Sequence, residues 1–370
     1  MGQRGCTEKA LQFHVSRVRL LCPSFHSPVL LVCDEYKNAI RVLRDTETYT
    51  EGACVIGQPG IGKTAFLIYA LVERLRARIP VAFQYYPDTY LLFTEDNVAA
   101  YTEDDIGPLR PLPGVWALSD SNQANFLPFS AATMFPMVRV FQATSPATRR
   151  WKEWTKQSNI DLYIMDVWRS EELAGLAAIL GLDIHRMVEL ASRWGPSPRT
   201  LLKLLRGVRD EMSYEAVVKG AVDEFVWQSR DWLAQAYSLN LENTGPSSVI
   251  FIRPQRRKSG FIDRTTCDPF IPTGTIVQYI SEALMKQQAQ IQTTFFSVMS
   301  TRPCARSAAG YIFENAVHAY FLSGRTVRCE WLSSASGTPP DTLETVQPPQ
   351  FVITDDQLAT CPPPIIGGQR

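Results

Sequence analysis

Apolar residues recur at two different spacings along this chain, and the change from one to the other sets the expected architecture. From Asp34, the segment DEYKNAIRVLRD puts Tyr36, Ile40 and Leu43 on one helical face and runs into a turn at Glu51 and Gly52. Ala53 to Ile56 is a short apolar strand, and Thr64 to Arg76 reads as a largely buried helix through Phe66, Leu67, Leu71 and Leu75. Three strand-like segments follow Pro80, namely VAFQYY, TYLLFT and VAAYT. Turn residues at Pro87 and Asp88 and at Glu95 to Asn97 part them, so at least two are expected to pair as a hairpin. Val115 to Asp120, Met137 to Ser145 and Leu162 to Trp168 add further short buried strands with helices or loops between them. Such alternation predicts an α/β fold with a mainly parallel sheet covered by helices.

Beyond Ser170 the spacing becomes helical. Ser170 is placed as an N-cap, Glu171 and Glu172 suit the first turn, and Gly181 stops the helix. Ser197 and Pro198 open another helix that is expected to run on through LLKLLRGVRDEM. Further on, Ile276, Ile280 and Leu284 mark a helix that is core or a partner surface. Ser307 to Gly324 forms an amphipathic helix with Phe313, Val317 and Phe321 on one face. The expected organisation is a variable lead-in over 1–33, an α/β core over 34–169 and a small helical, lid-like subdomain over 170–245. An α-rich or α+β region over 246–335 and a Pro-rich tail over 336–370 complete it.

Composition narrows the picture. The 370 residues exceed one usual hydrophobic core, and 45% hydrophobic with 20% charged residues is a globular balance. Lys plus Arg equals Asp plus Glu at 37 each, so any nucleic-acid contact would rest on a local patch. Arg253, Arg256, Arg257 and Lys258 form such a cluster, for phosphate contact, nuclear import or simply a solvated loop. The eight cysteines show no C-x-x-C pair, which favours reduced thiols in an intracellular protein of cytoplasm or nucleus over structural zinc. No run approaches the about 20 apolar residues of a transmembrane helix, so a membrane partner is not expected.

The strongest chemical signal is GQPGIGKT, Gly57, Gln58, Pro59, Gly60, Ile61, Gly62, Lys63 and Thr64, between an apolar strand and a helix. Gly57, Gly60 and Gly62 let the backbone turn its N–H groups toward phosphates. Lys63 supplies a point charge, and Thr64 a hydroxyl ligand for magnesium. This is a phosphate-binding P-loop, and it predicts a P-loop NTPase core that binds ATP or another nucleoside triphosphate with Mg2+. A second metal ligand should end a neighbouring buried strand, where VWALSD places Asp120, although an aspartate opening a turn before Ser121 and Asn122 reads the same way. Ser121 stands where many hydrolysing relatives carry a carboxylate, so binding is a safer expectation than turnover. Thr144 and Ser145 end another strand, as a phosphate sensor or as ordinary turn residues. Arg199 opens the helix after GPSP, as transition-state charge from the helical subdomain or as a solvated arginine.

The order GQPGIGKT, VWALSDSN, VFQATSP with Arg149, Arg150 and Trp151, then WRSEEL and WGPSPRTLL resembles the P-loop ATPase of Crinkler-type and retrotransposon hot spot proteins, over about residues 30–215. That resemblance implies an ATPase followed by a restriction-endonuclease-like domain, and effector roles in DNA damage, host-cell targeting or conflict between genetic elements. Glu314, in the helix Ser307 to Gly324, matches the acidic position of such a nuclease's opening helix. The rest of its signature, an Asp and then Glu-x-Lys, cannot follow, because no lysine occurs after Lys286. Asp341, Glu344, Asp355 and Asp356 therefore leave the nuclease truncated or degenerate, and Glu314 with His318 reads as an exposed helix pair. Three functions stay open at this level: an ATPase-type switch acting on the C-terminal region, a nucleic-acid effector under nucleotide control, and an interaction protein that binds nucleotide without efficient hydrolysis. Oligomeric state and base preference are not encoded in these patterns.

Overall fold

In the computed structural model, residues 10–12, 29–45, 51–112, 114–121, 127–135, 137–145, 151, 154, 159–237, 246–287, 289–300, 309, 310 and 312–314 are described. The chain divides into two compact units, Met1–Ile312 and Phe313–Arg370. All but Phe313 and Glu314 of the described residues belong to the first.

That unit opens with β1 (Ala10–Gln12) and β2 (Val29–Leu31), a small antiparallel pair ahead of α1 (Asp34–Asp45). β3 (Gly52–Ile56) leads through the glycine loop into α2 (Lys63–Arg76). β4 (Val81–Tyr86), β5 (Thr89–Phe93) and β6 (Val98–Thr102) form an antiparallel meander, so all three strand-like segments pair in sequence. β7 (Trp116–Asp120), β8 (Arg139–Ala143) and β9 (Ile160–Ile164) complete a seven-stranded sheet ordered β6-β5-β4-β7-β8-β3-β9. Its five strands from β4 to β9 run parallel. Every residue of β3, β7 and β8 is buried, as in a sheet covered on both faces. The fold is therefore the α/β P-loop NTPase type that the alternating pattern anticipates.

The helical stretch begins with α3 (Ser170–Ile179), α4 (Ile184–Trp194) and α5 (Pro198–Leu205). Ser170 is the first helical residue rather than the cap. Arg169 holds the cap position, and its backbone N–H donates to the Glu172 carboxylate at 2.9 Å. The helix from Pro198 does not continue through LLKLLRGVRDEM. It stops at Leu205, and Gly207 turns the chain at φ 66° before the long, kinked α6 (Glu211–Tyr237).

Next comes a β-hairpin, β10 (Phe251–Arg256) and β11 (Ile262–Phe270), where the sequence offered a solvated basic loop. Its basic residues are engaged: Arg253 pairs with Asp268 at 3.0 Å, Arg256 with Asp166 at 2.6 Å and Arg257 with Asp263 at 2.8 Å. α7 (Gly274–Met285) buries Ile276, Ile280 and Leu284 against the core, and α8 (Ala289–Ser300) follows. In the helical piece near residue 312, Ala309 and Ile312 are buried and Phe313 is 56% exposed. Val317, Phe321, His318 and the Pro-rich tail lie outside the described residues.

Candidate functional site

The site lies at the C-terminal edge of the parallel sheet, and strand register alone brings its parts level. Val55 in β3 and Asp120 in β7 both pair with Ala143 in β8, so the glycine loop, the Asp120 carboxylate and the β8 tip leave the sheet at one height. β7 is not the direct neighbour of the loop strand, as the sequence reading had placed it. β8 stands between them, which makes Thr144 and Ser145, rather than Asp120, the residues that emerge beside β3. Thr144 donates its backbone N–H to Val55 O at 3.0 Å and is buried, and Ser121 donates likewise to Ala143 O at 2.9 Å.

Across that intervening strand, Thr64 Oγ1 donates to Asp120, 3.0 Å from Oδ1 and 3.2 Å from Oδ2. Burial pushes the Asp120 carboxyl up to about 6, against the Thr64 hydrogen bond and the charges of Lys63 and Arg199. Lys63 Nζ donates to two carbonyls of its own loop, Gly57 O at 2.8 Å and Gln58 O at 3.0 Å. Burial, then the Arg199 charge, pulls the Lys63 ammonium down to about 7, with Asp120 opposing them. Among the described residues, no carboxylate lies within ion-pair distance of Lys63 Nζ. A half-buried, partly desolvated ammonium with no ion-pair partner among the described residues favours an anion beside it, so the residues present fit a polyphosphate. A buried carboxylate beside a hydroxyl is the one- or two-ligand oxygen set that magnesium takes together with phosphate oxygens.

Two glycines explain the shape of the loop. Gly60 and Gly62 adopt φ 84° and 98°, where side chains are strained, and each is also closely covered. A Cβ on Gly60 would sit 2.6 Å from Ser197 Oγ, and one on Gly62 would collide with the Tyr36 hydroxyl. The cover is polar and directed. Ser197 Oγ reaches Pro59 O at 3.3 Å, and the Arg199 backbone N–H donates to Gly60 O at 3.2 Å. Trp168 Nε1 donates to Ile61 O at 2.7 Å, and Tyr36 Oη to Gly62 O at 2.8 Å. Arg199 thus stands against the loop, its backbone serving as a loop donor while its charge acts on both Lys63 and Asp120.

The sequence reading missed Tyr36 and Trp168 as loop partners and assigned Gln58 only to the loop itself. Gln58 is 1% exposed, and its side chain leaves the site for the hairpin: Nε2 donates to Ser247 O at 2.7 Å and Oε1 accepts from Ile252 N at 3.1 Å. The one available signal was chemical, since a buried tryptophan or tyrosine needs a partner for its polar hydrogen. Ser197 had been identified as a helix cap, yet its hydroxyl makes no capping bond and faces the loop instead. Among the described residues, no group of three or more His, Cys, Asp or Glu side chains is placed to hold a metal, and no helix is long and apolar enough to cross a membrane.

Loop, sheet order and carboxylate together define an α/β protein of the P-loop NTPase class. No protein-family model and no curated protein matches the chain. Among solved structures it is similar to the RuvB Holliday junction branch migration motor of Thermotoga maritima, with 16% identity and a TM-score of 0.30 over 50% of this chain and 64% of that one. It is also similar to AMPPCP-bound DnaA from Aquifex aeolicus, at 10% identity and TM-score 0.30 over 80% and 90% of the two chains. A Walker-type ATPase of Pyrococcus abyssi gives 12% and 0.34 over 67% and 95%. The chain spans less than two thirds of the RuvB structure.

Proposed function

We propose that this chain binds a nucleoside triphosphate with Mg2+, ATP being the expected case, and acts as a nucleotide-controlled switch whose output is the region after α6. One observation carries the reading: the Thr64 hydroxyl meets the Asp120 carboxylate at 3.0 Å beside a half-buried Lys63 with no carboxylate at ion-pair distance among the described residues. The bound triphosphate and magnesium would supply an electrophilic terminal phosphate with part of its charge neutralised. The chain's own residues supply the rest. Lys63 offers its ammonium and the loop its backbone N–H groups, Thr64 and Asp120 offer oxygen ligands for the cation, and Arg199 adds positive charge from the helical region. Thr144 and Ser145 offer hydroxyls at the tip of the strand next to the loop.

Binding without efficient hydrolysis is a second reading, favoured by Ser121. It occupies the position after Asp120 and has no carboxylate with which to activate water. The likeness to Crinkler-type and retrotransposon hot spot ATPases belongs to this proposal as the kind of system such a switch would serve, with a nucleic acid or protein as the partner of the C-terminal region. The ion pairs of Arg253, Arg256 and Arg257 weigh against the hairpin as the nucleic-acid surface, since charge already satisfied within the fold contributes less to phosphate binding. Equilibrium ATP binding and phosphate release, measured for the wild type, Lys63→Ala and Asp120→Ala, test the proposal. Binding that depends on both residues supports it, release above background separates switch from passive binder, and wild-type binding unaffected by Lys63→Ala rejects the site.

A further inference from the structure

Every carbonyl from Gly57 to Gly62 accepts a hydrogen bond from a side chain or from the Arg199 backbone. Lys63 Nζ serves Gly57 and Gln58, Ser197 serves Pro59, the Arg199 backbone serves Gly60, Trp168 serves Ile61 and Tyr36 serves Gly62. In a trans peptide unit the C=O and the following N–H point in opposite directions. Fixing one fixes the other.

The two shortest bonds to residues outside the loop and α2 fall where this matters most. Trp168 holds Ile61 O at 2.7 Å and so turns the Gly62 N–H the other way, and Tyr36 at 2.8 Å joins the Phe66 backbone N–H at 2.9 Å on Gly62 O and helps to turn the Lys63 N–H in the same sense. These N–H groups stand at the start of α2, where the helix leaves its first donors without intrahelical partners and the macrodipole is positive. The two aromatic donors are themselves rigidly placed. Their rings meet edge to face at 6.3 Å, Tyr36 also contacts Phe66 at 5.8 Å and stacks on Tyr69 at 6.2 Å, and both residues are buried.

We infer that Tyr36 and Trp168 are positioning residues for polyphosphate, which aim the Gly62 and Lys63 backbone N–H groups through the carbonyls of Gly62 and Ile61. They touch no ligand and act only through the loop. The inference rests on the nucleotide-binding reading and goes beyond it, because it ties phosphate affinity to two residues 26 and 107 positions from their loop partners. It also predicts a loop already shaped before the ligand arrives, which lowers the ordering cost of binding.

The test uses the full chain, with inorganic tripolyphosphate and ATP as probes in the presence of Mg2+, and compares the wild type with Tyr36→Phe and Trp168→Phe by titration calorimetry well below each variant's unfolding midpoint. Tyr36→Phe keeps the ring and its packing while removing the donor. Each substitution is expected to weaken both probes by about five- to tenfold, the effect of losing one directed hydrogen bond. Equal loss for tripolyphosphate and ATP is the signature, because the affected groups face phosphate alone. A lowered melting temperature with unchanged affinity for tripolyphosphate would mark the aromatic donors as merely structural and overturn the inference, while leaving nucleotide binding in place. Absence of binding in the wild type would overturn the nucleotide reading and this inference with it. Should Trp168→Phe fail to fold, Tyr36→Phe decides the matter by itself.

Discussion

Gln58 accepts a hydrogen bond from the backbone N–H of Ile252 at 3.1 Å, although 194 positions separate the two residues. The same side chain donates to Ser247 O at 2.7 Å, so one glutamine of the phosphate loop bonds two backbone groups at the entrance to the β10–β11 hairpin. Around it, Arg256 pairs with Asp166 at 2.6 Å, and Arg264 pairs with Glu35 while donating to Ile164 O at 3.1 Å. The hairpin is thus fastened to the end of β9, to α1 and to the loop itself. A displacement of the loop backbone at Gln58 has a direct polar path to the hairpin, which is the physical content of the switch proposed above.

Replacing Gln58 should therefore affect more than the loop. Gln58→Ala leaves the buried Ile252 N–H without this partner, at about 1–3 kcal/mol. Denaturant unfolding of the nucleotide-free protein is expected to show a loss of about 1–3 kcal/mol, and hydrogen exchange should show faster exchange at the Ile252 amide. A stability change within a few tenths of a kcal/mol would mean the bridge is not maintained in solution.

Lys63→Ala should have opposite effects on stability and on binding. The ammonium is partly desolvated and held by two carbonyls, so its removal relieves a desolvation penalty and the nucleotide-free melting temperature is expected to hold or rise. ATP with Mg2+ should then give no further rise, whereas the wild type should melt higher as ligand concentration increases. A thermal-shift titration reads both effects in one experiment.

Binding should be accompanied by proton uptake. Lys63 is pulled down to about 7, below its unfolded value of 10.5, so between these values the unfolded chain binds more protons than the folded one and stability rises with pH. Below about 7 the partly desolvated ammonium keeps its proton at a cost to the fold. A polyphosphate anion beside it favours the charged form, and so near pH 8 ligand binding should draw in close to one proton, falling toward none near pH 6. Calorimetry in buffers of differing ionisation enthalpy measures this uptake, and Lys63→Ala should abolish it.

Asp120→Asn should separate metal from phosphate. Thr64 Oγ1 keeps an oxygen partner and the side chain keeps its shape, but the charge that would hold a divalent cation is gone. The variant is expected to lose the gain in ATP affinity that Mg2+ confers on the wild type, while retaining the affinity measured in EDTA. If Mg2+ strengthens binding equally in both proteins, Asp120 is not the metal ligand.

Local patterns determined much of this protein. The alternation of apolar runs defined the α/β core, GQPGIGKT between an apolar strand and a helix defined the loop, and a carboxylate closing VWALSD marked Asp120 as its counterpart. These features were legible because strand and helix spacing, glycine freedom and the charge of a single side chain act within a few residues of sequence. Tertiary structure decided the rest. Only the register of β3, β8 and β7 brings Thr64 to Asp120 across an intervening strand, and only packing turns Tyr36, Trp168, Ser197 and the Arg199 backbone onto successive carbonyls of the loop. The basic segment around Arg256 became one strand of a hairpin whose other strand supplies Asp263 and Asp268 to Arg257 and Arg253, while Asp166 meets Arg256 from beyond β9 and Gln58 anchors the hairpin to the loop. Outside the hairpin's own strand-to-strand pairs, such contacts join residues tens to hundreds of positions apart, and no local spacing encodes them, because what selects them is the requirement that every polar group taken out of water find a partner when the chain closes on itself.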